Sequence, residues 1–254
     1  MPYRREYVMP GPRMDLKFNF GGTVSARRAG ANRWEPQSGQ GWCMGLWDEY
    51  HSVCWPADVD YIGVSFRPGG FFALFGIDAH ELGNETVAVD ALLGPFALEL
   101  RERLAEAPNV QARFALLENM LAARLPHARR VDRIAPALEI LNRHHGMVRI
   151  ADLAAASDVS KKHLVTLFNR IVGIPPKRLA LLYRVQHLLG AIETGEPRLW
   201  TEFAQDFDYY DQAHFNKDFK RATGHTPARY VERRRQAQTA NPDHAKHFRL
   251  LPQG

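Results

Sequence analysis

Cysteine is nearly absent: the 254 residues hold two, Cys43 and Cys54. Two cannot build a disulfide framework or a zinc quartet, and a reducing cytoplasm suits them best. Both lie in an aromatic-rich stretch and read as packing residues rather than nucleophiles. Metal-ligand spacing is absent too. His51, His80 and His127 are scattered, with no HxH or HExxH arrangement, so neither metal nor cofactor is expected. No GxSxG, Walker A or GxGxxG motif occurs, and no enzyme is expected. Long apolar runs are missing: stretches such as Phe71–Phe75 are far too short to span a bilayer. The basic start, MPYRREY, is followed by no apolar segment, so no secretion signal is expected. What remains, 45% hydrophobic and 24% charged residues, is the composition of a soluble globular chain long enough for two domains.

The net charge of +5 is unevenly spread. Residues 131–235 hold 17 Lys and Arg against 12 Asp and Glu, whereas residues 1–130 hold 14 against 15. A polyanionic partner for the C-terminal half follows as an expectation.

The first half, residues 1–126, shows mainly short strand signals. Leu16, Phe18 and Phe20 alternate with polar residues over Asp15–Phe20. Trp42–Trp47, His51–Trp55 and Tyr61–Phe66 are rich in aromatic and β-branched residues. Phe71–Phe75 reads as a short helix or a buried strand. A small antiparallel sheet or partial barrel is predicted. From Pro95 the period lengthens to that of a helix stopping near Pro108. A second helix is capped by Asn109, carries Phe114, Leu117, Met120 and Leu121 on one face, and ends at Leu125-Pro126. The pair either covers the sheet or forms a self-associating surface. The clusters Arg4/Arg5 and Arg27/Arg28/Arg33 could grip an anion or simply be solvated. Ser38 and Gly41 beside them faintly echo a cyclic-dinucleotide site, although the Arg spacing does not match.

After a polar hinge, His127–Arg130, residues 131–235 read as an all-helical unit containing a duplication. A short helix, IADLAAAS, leads through a turn to Ser160, which caps KKHLVTLFNRIVG. Leu164, Leu167, Phe168 and Ile171 form that helix's inner face. A long helix opens at Pro175-Pro176. The pattern recurs: a short helix over Leu199–Phe207, a turn, a basic helix over Asp211–Thr223, then a closing helix from Pro227. The two copies align Ala154 with Ala204, Asp158 with Asp208, Gly173 with Gly224 and Pro176 with Pro227; Phe168 meets Phe219 with one insertion. Two helix-turn-helix units joined by a long helix follow. That helix, at ~20 residues, spans roughly 30 Å, near the ~34 Å between major-groove segments one turn apart. The tail, 236–254, is polar and expected to be disordered.

The segment YYDQAHFNKDFKRATGHTPARY, with IADLAAAS, SKKHLVTLF and PPKRL upstream, resembles the DNA-binding domain of the AraC/XylS family of transcriptional regulators. The stretch YIGVSFRPGGFFALFGIDAHELGNETVAVDALLG resembles the sensor-like domain of a poorly characterised subset, in which additional strands commonly precede the point where this chain begins; the resemblance implies a shortened domain here. The resemblance implies an α+β multidomain protein and a sequence-specific regulator of transcription, activator or repressor. Its implied partners are double-stranded DNA and RNA polymerase, with a homodimer and a small-molecule effector as further partners and no membrane. Its effector site is not implied by any residue. A repair enzyme that transfers alkyl groups would need a zinc-cysteine cluster that two cysteines cannot build.

Base readout falls on Lys162 and Thr166 in the first unit and on Gln212, Ala213, Asn216 and Lys217 in the second. Gln and Asn can pair bidentately with adenine, and Lys with guanine. Lys161, Arg170, Lys177, Lys220, Arg221 and Arg229 are expected on phosphates. Asp158 and Asp208 stand where the family usually has glycine in the turn, a conformation Asp tolerates at some cost. Val165 and Thr166 occupy positions that often carry base-reading residues, so the second unit should dominate specificity. His163 and His214 could lie beside the turns or face outward.

Overall fold

The computed structural model describes residues 3–194, 200–207, 209–242 and 250–253. In chain order the strands of the first half are β1 (Arg5–Val8), β2 (Met14–Asn19), β3 (Ser25–Arg28), β4 (Glu35–Pro36), β5 (Gly41–Met44), β6 (His51–Cys54), β7 (Tyr61–Phe66) and β8 (Thr86–Ala88). Helices follow: α1 (Gly70–Phe75), α2 (Val89–Leu93), α3 (Pro95–Glu106) and α4 (Val110–Ala122). The second half holds α5 (Ala135–Arg143), α6 (Ile150–Ala156), α7 (Lys161–Val172), α8 (Pro176–Thr194), α9 (Trp200–Asp206), α10 (Gln212–Thr223) and α11 (Pro227–Ala240), and then a strand, β9 (Leu250–Pro252).

A small antiparallel sheet or partial barrel was expected; the strands are antiparallel and form two sheets, neither of which closes into a barrel. The first has the order β4-β3-β6-β1-β9 and the second β7-β2-β5-β8, every neighbour antiparallel. The alternation of β2 sets the layers. Met14, Leu16 and Phe18 turn toward the helices and are buried, while Asp15 and Lys17 turn toward the other sheet. β5 is buried on both faces: Cys43 joins the helix-side core, and Trp42 and Met44 join Val24, Val53 and Trp55 between the sheets. A strand covered on both sides reads as a continuous apolar run, as this one does. Burial, aided by Asp15, pushes the Cys43 thiol up to about 12, so it is a packing residue without thiolate character.

Helices α3 and α4 cover the second sheet, with Leu100, Leu104 and Leu117 in its core. The face predicted for α4 is split: Leu117 is inside, whereas Phe114 is exposed. Arg27 and Arg5 lie over Trp34, and Arg28 pairs with Glu85, so these three arginines of the predicted clusters already have partners.

The helix-side core does not stop at the expected domain boundary. It runs from Leu16, Phe18 and Phe71 into Ile134, Leu141, Leu164, Phe168, Leu179 and Leu182. The hinge segment is itself pinned, with the Arg129 amide donating to the Ala73 carbonyl at 2.6 Å. A separate core gathers Phe207, Phe215, Phe219, Tyr230, Leu188 and Leu189 around the second unit and takes in Met9 and Leu251 from the sheet.

Disorder of the tail is corrected where it is described. Residues 236–240 extend α11, and Leu250–Pro252 pair with β1. Leu251 is fully buried. Arg234 donates to the Leu250 carbonyl and Arg233 to the Pro252 carbonyl, both at 2.7 Å. Average polarity concealed three residues, Leu-Leu-Pro, that have an apolar slot and two arginine partners to order them. His244 and His247 lie outside the described residues.

Candidate nucleic-acid interface

The duplication read from the sequence reappears as matched elements. The short helices α6 and α9 have 7 residues each, and α7 and α10 have 12 each. Their starts are built alike. The Ser160 hydroxyl accepts from the His163 amide at 3.2 Å, and the Asp211 carboxylate from the His214 amide at 2.7 Å. Such caps satisfy amides that the helix itself cannot. Their ends match as well, at Gly173 (φ 92°) and Gly224 (φ 76°). Both glycines are also points of close approach. A Cβ at Gly173 would lie 2.6 Å from the Ala79 carbonyl oxygen, and one at Gly224 would lie 2.8 Å from the Tyr50 ring.

On α7, Leu164, Phe168, Ile171 and Val172 are buried, and Lys161, Lys162, Val165, Thr166 and Arg170 are exposed. On α10, Phe215, Phe219, Ala222 and Thr223 are buried, and Gln212, Ala213, Lys217, Lys220 and Arg221 are exposed, with Asn216 half-buried. Lys177 and Arg229 stand exposed in the first turns of α8 and α11, where the helix dipole favours anions. Both histidines, His163 and His214, face outward; His214 lies 3.6 Å from Asp218.

Some of these side chains have partners. The Thr166 hydroxyl donates to the Lys162 carbonyl at 3.2 Å, which leaves its lone pairs and methyl for a base edge. Arg170 is drawn toward the first half of the chain, 3.8 Å from Asp78 and over the Phe72 ring. Arg229 pairs with Glu232 at 2.7 Å. The Asp158 turn has φ 50°, the left-handed conformation anticipated for it; Asp208, the starting Leu199 and the side chains of Phe203 and Ala204 lie outside the described residues.

Two features were missed. Tyr210 is 94% exposed immediately before the Asp211 cap, while its neighbour Tyr209 is buried against Phe215, its hydroxyl pushed up to about 12 by burial and by Asp218. Both precede the Asp211 cap, so the apolar period of α10 assigns neither, and no local signal separates the two. Arg178 reaches from α8 to the buried Asp48 at 2.9 Å, a pairing 130 positions apart that no local pattern signals.

A family model described as a helix-turn-helix domain matches residues 153–233, the stretch from α6 to α11 that carries both capped helices. The C-terminal half is an AraC-type helix-turn-helix domain. Residues 2–88, ahead of this AraC-type domain, match a model described as a domain of unknown function, DUF6597. No curated protein matches the chain. Solved structures of ToxT from Vibrio cholerae are similar to it: one at 10% identity and TM-score 0.48, over 91% of this chain and 94% of that one. Another, with unsaturated fatty acid bound, is at 11% identity and TM-score 0.45, over 90% and 91%. With its AraC-type domain, the chain is a DNA-binding transcription regulator. No helix among the described residues is long and apolar enough to cross a membrane, and no metal-binding cluster is found among them.

Proposed function

We propose that the regulator inserts α7 and α10 into successive major-groove segments of promoter DNA and that α10 reads most of the sequence. The observation that carries this is the pair of similarly capped, 12-residue helices, each burying its apolar face and exposing a basic one. Gln212, Ala213, Asn216 and Lys217 meet base edges from α10, with Lys162 and Thr166 doing so from α7. Lys161, Lys177, Lys220, Arg221 and Arg229 neutralise phosphates, joined by Arg170 once it leaves Asp78. The protein works in the cytoplasm by binding rather than by catalysis. It contacts RNA polymerase at promoters, responds to a small effector through the first half of the chain, and pairs as a homodimer through the exposed Leu98, Val110 and Phe114 of α3 and α4.

The test is selection of preferred DNA sites from a random pool, followed by affinity measurements at several salt concentrations. A base-reading side chain is worth about 1–3 kcal/mol of discrimination. Lys217→Ala and Gln212→Ala should therefore relax preference at particular base pairs, whereas Lys220→Ala should weaken all sequences alike. Equal affinity for selected and random DNA would end the base-reading assignment.

A further inference from the structure

A groove of about 600 Å³ runs between α1, α3, the end of α4 and the 3-10 turn Leu125–His127. That volume falls in the range of small-molecule sites. Leu74, Phe75, Phe96 and Met120, all half-buried, supply its apolar lining. The charged lining is one-sided: Arg103, Arg124 and Arg129 face a single acid, Glu99. Arg103 already holds Glu99, at 3.3 Å. Among the described residues, the side chains of Arg124 and Arg129 have neither a carboxylate partner nor a hydrogen bond. Two positive charges in the groove therefore lack counterparts.

Both arginines are held in place without being neutralised. The Arg124 guanidinium lies over the Phe75 and Phe96 rings, 5.1 and 4.7 Å from their centroids. Stacking of this kind fixes the plane of the guanidinium and leaves its N–H edge for an acceptor. Its Nε is shielded from solvent and meets no acceptor, a costly state for a charged donor. An arginine just past a helix end is ordinarily drawn to the terminal carbonyls, but Arg124 makes no such side-chain bond. Arg129 is brought in by its backbone, through the amide that donates to the Ala73 carbonyl. Gly76, which ends α1 at φ 69°, leaves room for its side chain: a Cβ there would lie 3.2 Å from the Arg129 Nε.

We propose that this groove binds a small phosphate monoester with an apolar body. A phosphomonoester carries about −1.5 to −2 charges near neutral pH, which matches two uncompensated guanidinium groups better than the single charge of a carboxylate does. Arginine forks also suit phosphate oxygens in geometry, and Phe75, Phe96, Leu74 and Met120 match the apolar body. The assignment stands without base reading and without the effector role proposed above.

The experiment uses the full chain without DNA. The probe is 1-naphthyl phosphate, titrated by calorimetry beside 1-naphthol and inorganic phosphate, which carry its two halves separately. One-to-one saturable binding of the probe is expected, with each half at least roughly tenfold weaker. Arg129→Met keeps the backbone tie to Ala73; it should weaken the probe roughly tenfold and leave naphthol nearly unchanged. Ala123→Trp, which fills the groove from the exposed end of α4, should weaken probe and naphthol alike. Undiminished probe affinity in Arg129→Met, or in a folded Ala123→Trp protein, would overturn the site; should the tryptophan variant not fold, Arg129→Met decides alone. Inorganic phosphate binding as tightly as the probe would overturn the apolar body, and naphthol binding as tightly would overturn the anion. Sedimentation with vesicles containing phosphatidic acid, lost in Arg129→Met, would make the ligand a membrane lipid and overturn the small-molecule assignment.

Discussion

The two helix-turn-helix units carry helices of the same length with equivalent caps, yet they are anchored differently. The first shares its core with the sheet: Leu164 and Phe168 belong to the same apolar cluster as Leu16 and Phe71, and the end of α7 rests on backbone at Ala79. The second has a core of its own, touched from outside by Met9 and Leu251. The end of α10 rests on side chains, Tyr50 beneath Gly224 and Tyr7 against His225 with ring centroids 5.0 Å apart. The exposed faces run the other way. The rigidly seated unit offers Val165 and Thr166, while the separately seated one offers Gln212, Asn216 and Lys217. On the proposed reading, anchoring and readout are divided between the copies. A reader on an independent core can respond to its few contacts with the sheet, and a unit fused to the main core can fix position.

Removing equivalent core aromatics would test this division most severely. Phe168→Ala and Phe219→Ala each delete a fully buried ring, at a cost of about 3–5 kcal/mol. Phe168→Ala should lower the melting temperature of the whole protein and speed amide exchange in β2 and α3 as well as α7. Phe219→Ala should speed exchange in α9–α11 and leave β2 protected. Identical exchange patterns would mean that the two cores are one cooperative unit.

The ion pair of the second unit ranks next. Arg234 and Glu193 are both largely buried; burial pushes the Glu193 carboxyl up, and Arg234 pulls it back. Glu193→Gln leaves the Arg234 guanidinium buried without its counter-charge, at a cost of about 3 kcal/mol. Since Arg234 also orders β9, the substitution should loosen Leu250–Pro252, seen as faster cleavage there by a protease. The first unit's counterpart, Arg178 with Asp48, leaves the arginine half exposed, so Arg178→Lys should cost much less.

A smaller effect is expected at the turn of the first unit. Asp158 has φ 50°, and relieving an L-residue of that conformation is worth about 1 kcal/mol. Asp158→Gly should therefore raise the denaturation midpoint slightly, with DNA affinity unchanged. A loss of stability would instead reveal a role for the Asp158 carboxylate.

How much of this could be read from sequence depends on the range of the interaction. The caps Ser160 and Asn109, the stops Gly173 and Gly224, and the inner faces of α7 and α10 are set within about one helical turn, and each was legible; Asp211, read as the first residue of its helix, is its cap. The first sheet was not legible. Its partner strands β1 and β3 are short and polar, and β1 acquires meaning only by pairing with β6 and β9, which lie about 50 and 245 positions away. Phe114 was assigned inward because the spacing of α4 permits two faces; packing against α3 selected Leu117. The side chains proposed for DNA were chosen by residue type, and their engagements were not legible: Arg170 with Asp78 and Thr166 with the Lys162 carbonyl are visible only in three dimensions.

The engagement of Arg170 gives the finest test of the comparison. In the first unit a phosphate-seeking arginine is shared with Asp78, whereas Lys220 and Arg221 of the second unit face solvent. Asp78 and Arg170 are both more than half exposed and 3.8 Å apart, so their attraction is weak and screened by salt. Stability should scarcely change in Asp78→Asn. DNA binding should, because Arg170 no longer exchanges a carboxylate for a phosphate and one fewer negative charge faces the DNA. The variant should bind all sequences more tightly at low salt, and its slope of log affinity against log salt should steepen by at most about one unit. Arg170→Ala should move the slope the other way and leave base preference intact. If Asp78→Asn and Arg170→Ala both left the slope unchanged, α7 would contribute no phosphate contact at Arg170, and the first unit's share of positioning would fall to Lys161 and Lys177.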